Sequence, residues 1–541
     1  MAEQPIAVGL NLGHDGGCAI VSGNQVVAIA EERLNRTRYS GGWQAALAYC
    51  LDAADVTLAD VGIVVFSCVG PRLERGFTGG LQRYGVDARR IESVDHHLSH
   101  AYGAFCLSGA DEALVVVADG SGNDHQTESY FLASPSGLVR VGGNRAGRPR
   151  AGGIGATYEA VTNWLGFDGQ ESGKTMALAS YGDPKAVGLP LFDVVDAQVE
   201  GRLERTHDRG LAEFAAAAGL DLGRPHAWSE PRARDLAAWA QEQTEDALTD
   251  VITHLLAEHR QTTVCLAGGV AMNCVANEAI RRRTGADLFV PPPASDRGQA
   301  IGNAFHGIHR LTGTVPSLPL TGRDSFGRTY TDDEVLLALR RHPFSGLTER
   351  HPHRPFAYRR ESDPAAAAAE LIAQGKLIGW FDGGSELGAR ALGSRSILAD
   401  PRQEATRDVL NTRIKHREFF RPFAPAVLGE FADTWFEVDQ DSPYMLFAPR
   451  VRAQYRNRLG AVTHVDGTAR VQTVDPTAHP AFHRLITRFE ELTGVPVVLN
   501  TSFNDSEPIV ETPAHAVATF CRTGLDALVF SSGFIAVKTD V

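Results

Sequence analysis

Two apolar segments, Ile6–Leu12 and Ala113–Ala118, each run directly into a polar loop that carries glycine: Gly13-His14-Asp15-Gly16-Gly17 and Asp119-Gly120. Short apolar runs bounded in this way read as buried strands. Cys18–Val21 and Gln25–Ala30, separated by Ser-Gly-Asn, extend the first into a hairpin. A helix is predicted around Trp43–Asp55, and Thr263–Ala267 is a further strand before Gly268-Gly269. Strands and helices alternate to about Gly302, which predicts an α/β architecture with loops gathered at the sheet ends. The repeated strand-plus-glycine opening predicts two similar halves. Residues 314–364, rich in Pro, Arg and Ser with one short helix near Asp332–Arg341, read as connecting material. A second alternating region opens with a helix over Ala365–Gln374 and a strand over Lys376–Phe381, and ends near Ala527–Phe530.

A chain of 541 residues is too long for one core, and lengths of roughly 100–200 residues per domain predict two to four units. A net charge of -13 argues against a nucleic-acid-coating protein, which needs a basic face. The seven cysteines are scattered, with no CxxC pair, so neither a disulfide frame nor a thiolate zinc site is expected. With no cationic, long apolar leader and no run approaching a membrane span, a soluble cytoplasmic protein is the expectation. Only five lysines occur, Lys174, Lys185, Lys376, Lys415 and Lys538. A retained lysine inside a dense motif therefore carries some information, because arginine's planar fork does not copy a compact ammonium.

Three segments carry candidate chemistry. In Asp95-His-His-Leu-Ser-His100, His96 and His100 are spaced to face one way on a helix, and Asp119 emerges at the end of the apolar strand that follows. Asp296, in Ala294-Ser-Asp-Arg-Gly-Gln, can be a fourth arm, giving a His-His-Asp-Asp set suited to Fe(II), Mn(II) or zinc. The alternative is a helix start with an ordinary Asp-Gly turn, and a helix cap at Ser295 or Asp296. The Gly13–Gly17 loop can bring backbone N–H groups to an anion or be a tight turn; its His14 titrates near neutrality and can act as a general base. Further on, Arg413, Lys415, Arg417 and Arg421 are interleaved with Phe419, Phe420 and Phe423, which favours a half-buried anion pocket over a solvated face.

In order along the chain, the motifs GHDGG (13–17), AEERL (30–34), DHHLSHA (95–101), VVADGSG (116–122), GKTMALASYG (173–182), AGGVAMN (267–273) and ASDRGQAIG (294–302) resemble the O-carbamoyltransferase family of antibiotic and nodulation-factor biosynthesis. The resemblance continues through GARALGSRSILADPR (388–402), FRPFAPAV (420–427), DGTARVQTV (466–474) and NTSFN (500–504). It departs at Gly384-Ser385, Ala389, Lys174–Ala177 and Asn504–Glu507, none of which is a candidate metal or phosphate residue.

The resemblance implies an actin/Hsp70-like (ASKHA) two-lobed domain over residues 1–345, similar to tRNA threonylcarbamoyl transferase. A linker over 346–364 and a YrdC-like α/β domain over 365–541 would follow. It implies that the second domain makes carbamoyl adenylate from carbamoyl phosphate and ATP with Mg²⁺, and that the first transfers the carbamoyl group to a hydroxyl of a natural-product acceptor. Carried over, His96, His100, Asp119 and Asp296 are iron ligands and His14 deprotonates the acceptor. Lys415, Arg421, Arg470 and Ser502 hold carbamoyl phosphate, with Lys415 and Arg421 also catalytic, and Gly120, Gly268, Gly269 and Asn273 meet nucleotide. The acceptor pocket falls to segments without motifs, such as Tyr39–Trp43 or Asn144–Tyr158. An ASKHA-fold sugar kinase and a tRNA threonylcarbamoyl-transfer enzyme are the alternatives, and a homodimer is the default assembly.

Overall fold

The computed structural model describes residues 4–145, 152–203, 208–341 and 356–539. Its first sheet has the order β3-β2-β1-β4-β5, with β1 Ile6–Asn11, β2 Gly17–Ser22, β3 Gln25–Ala30, β4 Ile63–Ser67 and β5 Ile91–Val94. β1, β2 and β3 pair antiparallel, whereas β1–β4 and β4–β5 are parallel. A second sheet repeats this plan: β6 Ala113–Ala118, β7 Gln126–Ser134 and β8 Gly137–Arg145 form the antiparallel part. A small hairpin, β9 Phe192–Val195 with β10 Gln198–Gly201, precedes β11 Thr263–Ala267 and β12 Asp287–Phe289, which add in parallel beside β6. The order β12-β11-β6-β7-β8 is the first sheet's order again. These are the two similar halves expected, and the duplicated α/β plan is that of the two-lobed actin/Hsp70-like fold.

Two helices cross between the halves. His96–Ser108 follows β5 but packs on β6 and β11, and Gln299–Thr312 follows β12 but packs on β1, β2 and β4, with the two helices against each other. Their contact is close enough to demand glycine. A Cβ on Gly302 would lie 2.0 Å from the Ser99 carbonyl oxygen, and one on Gly9 would lie 1.9 Å from that of Ala300.

The remaining strands form an eight-stranded sheet, β13-β20-β19-β14-β15-β18-β16-β17. They are β13 Phe356–Arg360, β14 Ile378–Phe381, β15 Arg395–Ala399, β16 Ala424–Leu428, β17 Gln472–Val474, β18 Val497–Ser502, β19 Ala527–Phe530 and β20 Phe534–Lys538. Its core includes the fully buried Trp380, Phe482, Phe489, Phe503 and Phe520.

The chain separates into two compact units, residues 1–31 with 40–320, and residues 32–39 with 321–541. This differs from the boundary at 345 and the linker over 346–364. Val335 and Leu339 of the helix Asp332–Arg340 are buried in the second unit's core, and Phe356–Arg360 is a sheet strand antiparallel to β20. The polar, proline-rich composition of this stretch hides a few apolar residues that dock. Residues 346–355, and 146–151 of the predicted acceptor segment, lie outside the described residues. No helix among the described residues is long and apolar enough to cross a membrane.

One buried histidine makes the second unit acid-sensitive. Burial, reinforced by Arg36 and Arg522, depresses the His515 imidazole from 6.5 to about 4. Between those values the unfolded chain binds the extra proton, so this contribution is complete above the unfolded pKa and is lost as the pH falls. The expected loss at pH 5 relative to pH 7 is about 2 kcal/mol. It should show as a lower urea midpoint that His515→Gln largely removes.

Candidate active site

The first unit gathers His96, His100, Asp119 and Asp296 at one point, with a ligand atom from each lying within 4.8 Å of the others. The Asp95 carboxylate starts the helix by accepting from the Leu98 N–H, as a cap should, and also accepts from the Gln126 amide. With the helix so begun, His96 and His100 stack on one face, their rings 5.0 Å apart. His96 Nε2 lies 3.0 Å from Asp119 and 3.4 Å from Asp296; His100 Nε2 lies 3.6 and 3.3 Å from the same carboxylates. Burial alone would lower both imidazoles, but the two carboxylates outweigh it and raise them, His96 to about 10. The carboxylates in turn are held well below their usual range by the histidines, against the opposing effect of burial. The pocket thus calls for positive charge, which a cation supplies as well as protons do.

Surrounding groups fix each arm. Gly269 N–H donates to Asp119 Oδ1 at 2.9 Å. Gly268 allows that approach: its φ is +92°, and a Cβ there would lie 2.2 Å from the Ala118 carbonyl oxygen. Gln299 donates to the His96 carbonyl, and Asn123 accepts from the His96 N–H. His97, between the ligands in sequence, instead meets Ser129 Oγ at 2.8 Å; burial pushes it down to about 3, so it is a neutral core histidine.

His14 stands at the edge of this cluster. Asn11, at the end of β1, donates to the carbonyls of His14, Asp15 and Asp296 and so ties the glycine loop to the metal-ligand turn. His14 Nε2 lies 3.4 Å from Asp296 and Nδ1 lies 3.4 Å from Asp15, while the side chain stays 56% exposed. Asp15 is also gripped by Arg297 at 3.0 Å. The Asp15 contact is the main cause of the raised His14 pKa, about 9, with Asp296 adding to it against burial. Ser40 and Glu31 pin Gly16 of the loop through its N–H and its carbonyl.

The predicted nucleotide residues divide. Gly120 and Gly269 border Asp119, and a Cβ on Gly120 would meet nothing within 4 Å. Asn273 is occupied: it caps the helix Cys274–Thr284 through Ala276 N–H and exchanges two hydrogen bonds with Gln241. It shapes the loop, with its amide oxygen and one amide N–H engaged.

In the second unit, Lys415 ends a turn of π-helix and is buried. Its ammonium donates to the Asn504 carbonyl at 2.7 Å and Asn504 Oδ1 at 2.8 Å, and reaches the Ser502 carbonyl and hydroxyl as well. The lysine therefore builds the 502–504 loop from within. Burial and then Arg417 drive its pKa well down. Arg417 is itself lowered, first by burial and then by Arg421, Arg470, Arg38 and Arg390. Four guanidiniums thus act on a fifth, and Glu418 lies 3.5 Å from Arg421. Phe420 and Phe423 are buried as expected, but Phe419 is 56% exposed. Lys415→Met should strand several buried oxygens, at about 1–3 kcal/mol each. The expected result is a marked fall in melting temperature together with loss of carbamoyl-phosphate-dependent turnover.

Family models for the carbamoyltransferase N-terminus and C-terminus match residues 73–305 and 369–536. The chain belongs to the carbamoyltransferase family. Nodulation protein NolNO of Sinorhizobium fredii is 37% identical over 97% of this chain and 79% of its own length. An uncharacterized Synechocystis protein is 32% identical over 97% and 95%. The 3'-hydroxymethylcephem-O-carbamoyltransferase of Streptomyces clavuligerus is 29% identical over 92% of each chain. Among solved structures, HypF of T. kodakarensis aligns with 57% of this chain and 48% of its own at 15% identity and a TM-score of 0.39.

The His96, His100, Asp119 and Asp296 cluster of this carbamoyltransferase could hold a divalent cation. Two nitrogens and two carboxylates converge, His100 Nε2 is buried without a well-formed hydrogen bond, and the donor set is borderline to hard. Among the described residues no other cluster of three or more His, Cys, Asp or Glu has this geometry. Sequence reasoning missed Asp15, Arg297 and Asn11 around His14, and Arg38 and Asn504 around the cationic pocket. Asp15 and Arg297 flank named residues and were discoverable; the placement of Arg38 was not.

Proposed function

We propose that this carbamoyltransferase activates carbamoyl phosphate with ATP in its second unit and transfers the carbamoyl group to an acceptor hydroxyl in its first. The observation that carries the reading is His14, an exposed imidazole beside a buried His-His-Asp-Asp cluster; the arginine-rich pocket supports the other half. Making carbamoyl adenylate releases phosphate from carbamoyl phosphate and pyrophosphate from ATP, and consumes one water. Carbamoyl phosphate, ATP and the released phosphate and pyrophosphate are polyanions, and the Arg390, Arg417, Arg421 and Arg470 guanidiniums offset their mutual repulsion, together with Mg²⁺ on the ATP.

In the first unit His96, His100, Asp119 and Asp296 would hold a divalent metal, Fe(II) in this reading. When bound, it supplies positive charge at the phosphate of the departing AMP. Gly120 would leave its backbone N–H beside that position, while the Gly269 N–H holds Asp119. His14, once it has given up the proton that Asp15 and Asp296 favour on it, takes the acceptor's O–H proton as the oxygen attacks the carbamoyl carbon and AMP leaves. Asp15, held by Arg297, orients the imidazole and stabilises it once protonated. Segment 40–43, packed on the His14 loop, would border the acceptor. The acceptor class is a hydroxylated secondary metabolite, in keeping with the cephem carbamoylation named for the Streptomyces relative.

The test supplies carbamoyl phosphate, ATP, Mg²⁺ and Fe(II) with a panel of hydroxylated natural products and sugars. The expected products are a carbamate ester and AMP. ADP with a phosphorylated acceptor would instead assign the chain to sugar kinases, and carbamoylation of tRNA would assign it to the threonylcarbamoyl enzymes.

A further inference from the structure

Residues Glu32–Tyr39 lie in sequence between β3 and the helix Gln44–Ala53, yet they belong to the second unit. Two arginines fasten this arm. Arg33, 0% exposed, donates to the Gly388 carbonyl, at the start of the loop that carries Arg390. Arg36 donates to the Ile509 carbonyl at 2.7 Å and to the Pro508 carbonyl, just past the loop that Lys415 builds. Between these anchors the backbone turns sharply. Arg36 and Tyr39 both have positive φ, +63° and +54°, a left-handed conformation costly for residues with a Cβ and found where surrounding structure over-determines it. His416, immediately before Arg417, is also left-handed, at +48°.

The third arginine of the arm, Arg38, is exposed and, among the described residues, has neither a hydrogen bond nor an ion pair. It lies close enough to Arg417 to act on it electrostatically, as Arg390, Arg421 and Arg470 do. Five guanidiniums drawn from four separate stretches of sequence, at 38, 390, 417 with 421, and 470, concentrate positive charge that an anion among them would relieve. An arginine placed only for solubility would not need an arm with two left-handed residues, fastened to the second unit at Gly388 and at Pro508 and Ile509.

We propose that Arg38 is a binding residue for a phosphate-bearing substrate of the second unit, presented to the arginine pocket by the 32–39 arm. The assignment rests on the reading of that unit as the carbamoyl-phosphate and ATP site. Phosphate favours such forked donors because guanidinium pairs with it in a two-pronged, charge-assisted geometry. The arm is drawn from the part of the sequence that also flanks the His14 loop, so a residue counted with the transfer domain would serve the activation step.

The experiment measures binding of carbamoyl phosphate, ATP and inorganic phosphate separately, by titration calorimetry on the full-length protein. The variants are Arg38→Gln, Arg38→Lys and, as an exposed control, Arg484→Gln. Arg38→Gln should weaken carbamoyl phosphate or ATP about tenfold, and the arm affected identifies which phosphate Arg38 meets. Arg38→Lys should recover part of the loss, and the melting temperature should not move, because Arg38 makes no contact that holds the fold. Unchanged binding of all three ligands by Arg38→Gln overturns the assignment while leaving the proposed function standing. A wild-type protein that binds none of them overturns both.

Discussion

Replacing His14 by alanine should leave carbamoyl adenylate formation intact and slow transfer to the acceptor by about 10²–10⁴-fold, the usual worth of a positioned general base. The separation follows from where the residue sits. His14 belongs to the first unit, on a loop fixed by Asn11 and by Gly16, and its ring meets only Asp15 and Asp296. Nothing in the arginine pocket depends on it. ATP consumption without acceptor should therefore match the wild type, while the carbamate ester disappears and free adenylate decays by hydrolysis. Arg297→Gln should act through the same imidazole more weakly. It frees Asp15 without removing the base, and the fall should show as a displaced pH profile of transfer. Equal loss of both half-reactions in His14→Ala would show that His14 is not the transfer base.

Removing one metal-ligand arm should have the second large effect. Asp296→Asn eliminates a carboxylate that lies 3.3 to 3.4 Å from three imidazoles, those of His14, His96 and His100. Bound metal should fall from one per chain to a trace, and transfer should drop at least about 10²-fold, more than loss of an outer-shell partner costs. Adenylate formation should persist. The wild type treated with a chelator should behave alike and should also melt at a lower temperature. A ligand present at about a thousand times its Kd stabilises the folded state by about 4 kcal/mol, and that contribution goes with it. Metal analysis and a thermal scan read these outcomes without any acceptor in hand.

Much of this architecture was legible in the sequence. The strands Ala113–Ala118 and Thr263–Ala267 lie where continuous apolar runs placed them, because a strand buried on both faces needs no alternation. His96 and His100 share a face because a helix repeats near four residues, and Asp119 ends its strand because a glycine turn follows. Long-range geometry was less visible. Asp296 lies far along the chain, and ligand chemistry suggested it as a fourth arm without showing how it reaches the histidines; the packing of the Gln299–Thr312 helix against His96–Ser108 explains the meeting. The 32–39 arm could not be read as part of the second unit, since its charged residues look like an ordinary surface turn and the partners of Arg33 and Arg36 are backbone carbonyls. Lys415 was read as a substrate contact because a lysine among arginines invites that reading. Its ammonium also holds Ser502 and Asn504, which spacing alone does not reveal.

The central claim is that activation and transfer are separate reactions of one chain. The most direct measurement incubates the purified protein with carbamoyl phosphate, ATP, Mg²⁺ and Fe(II) in the absence of any acceptor, and follows the nucleotides by mass spectrometry. Carbamoyl adenylate should appear together with pyrophosphate and phosphate, in the wild type and in His14→Ala alike. If no adenylate forms and ATP stays intact, or is converted only to ADP, the two-step account is contradicted.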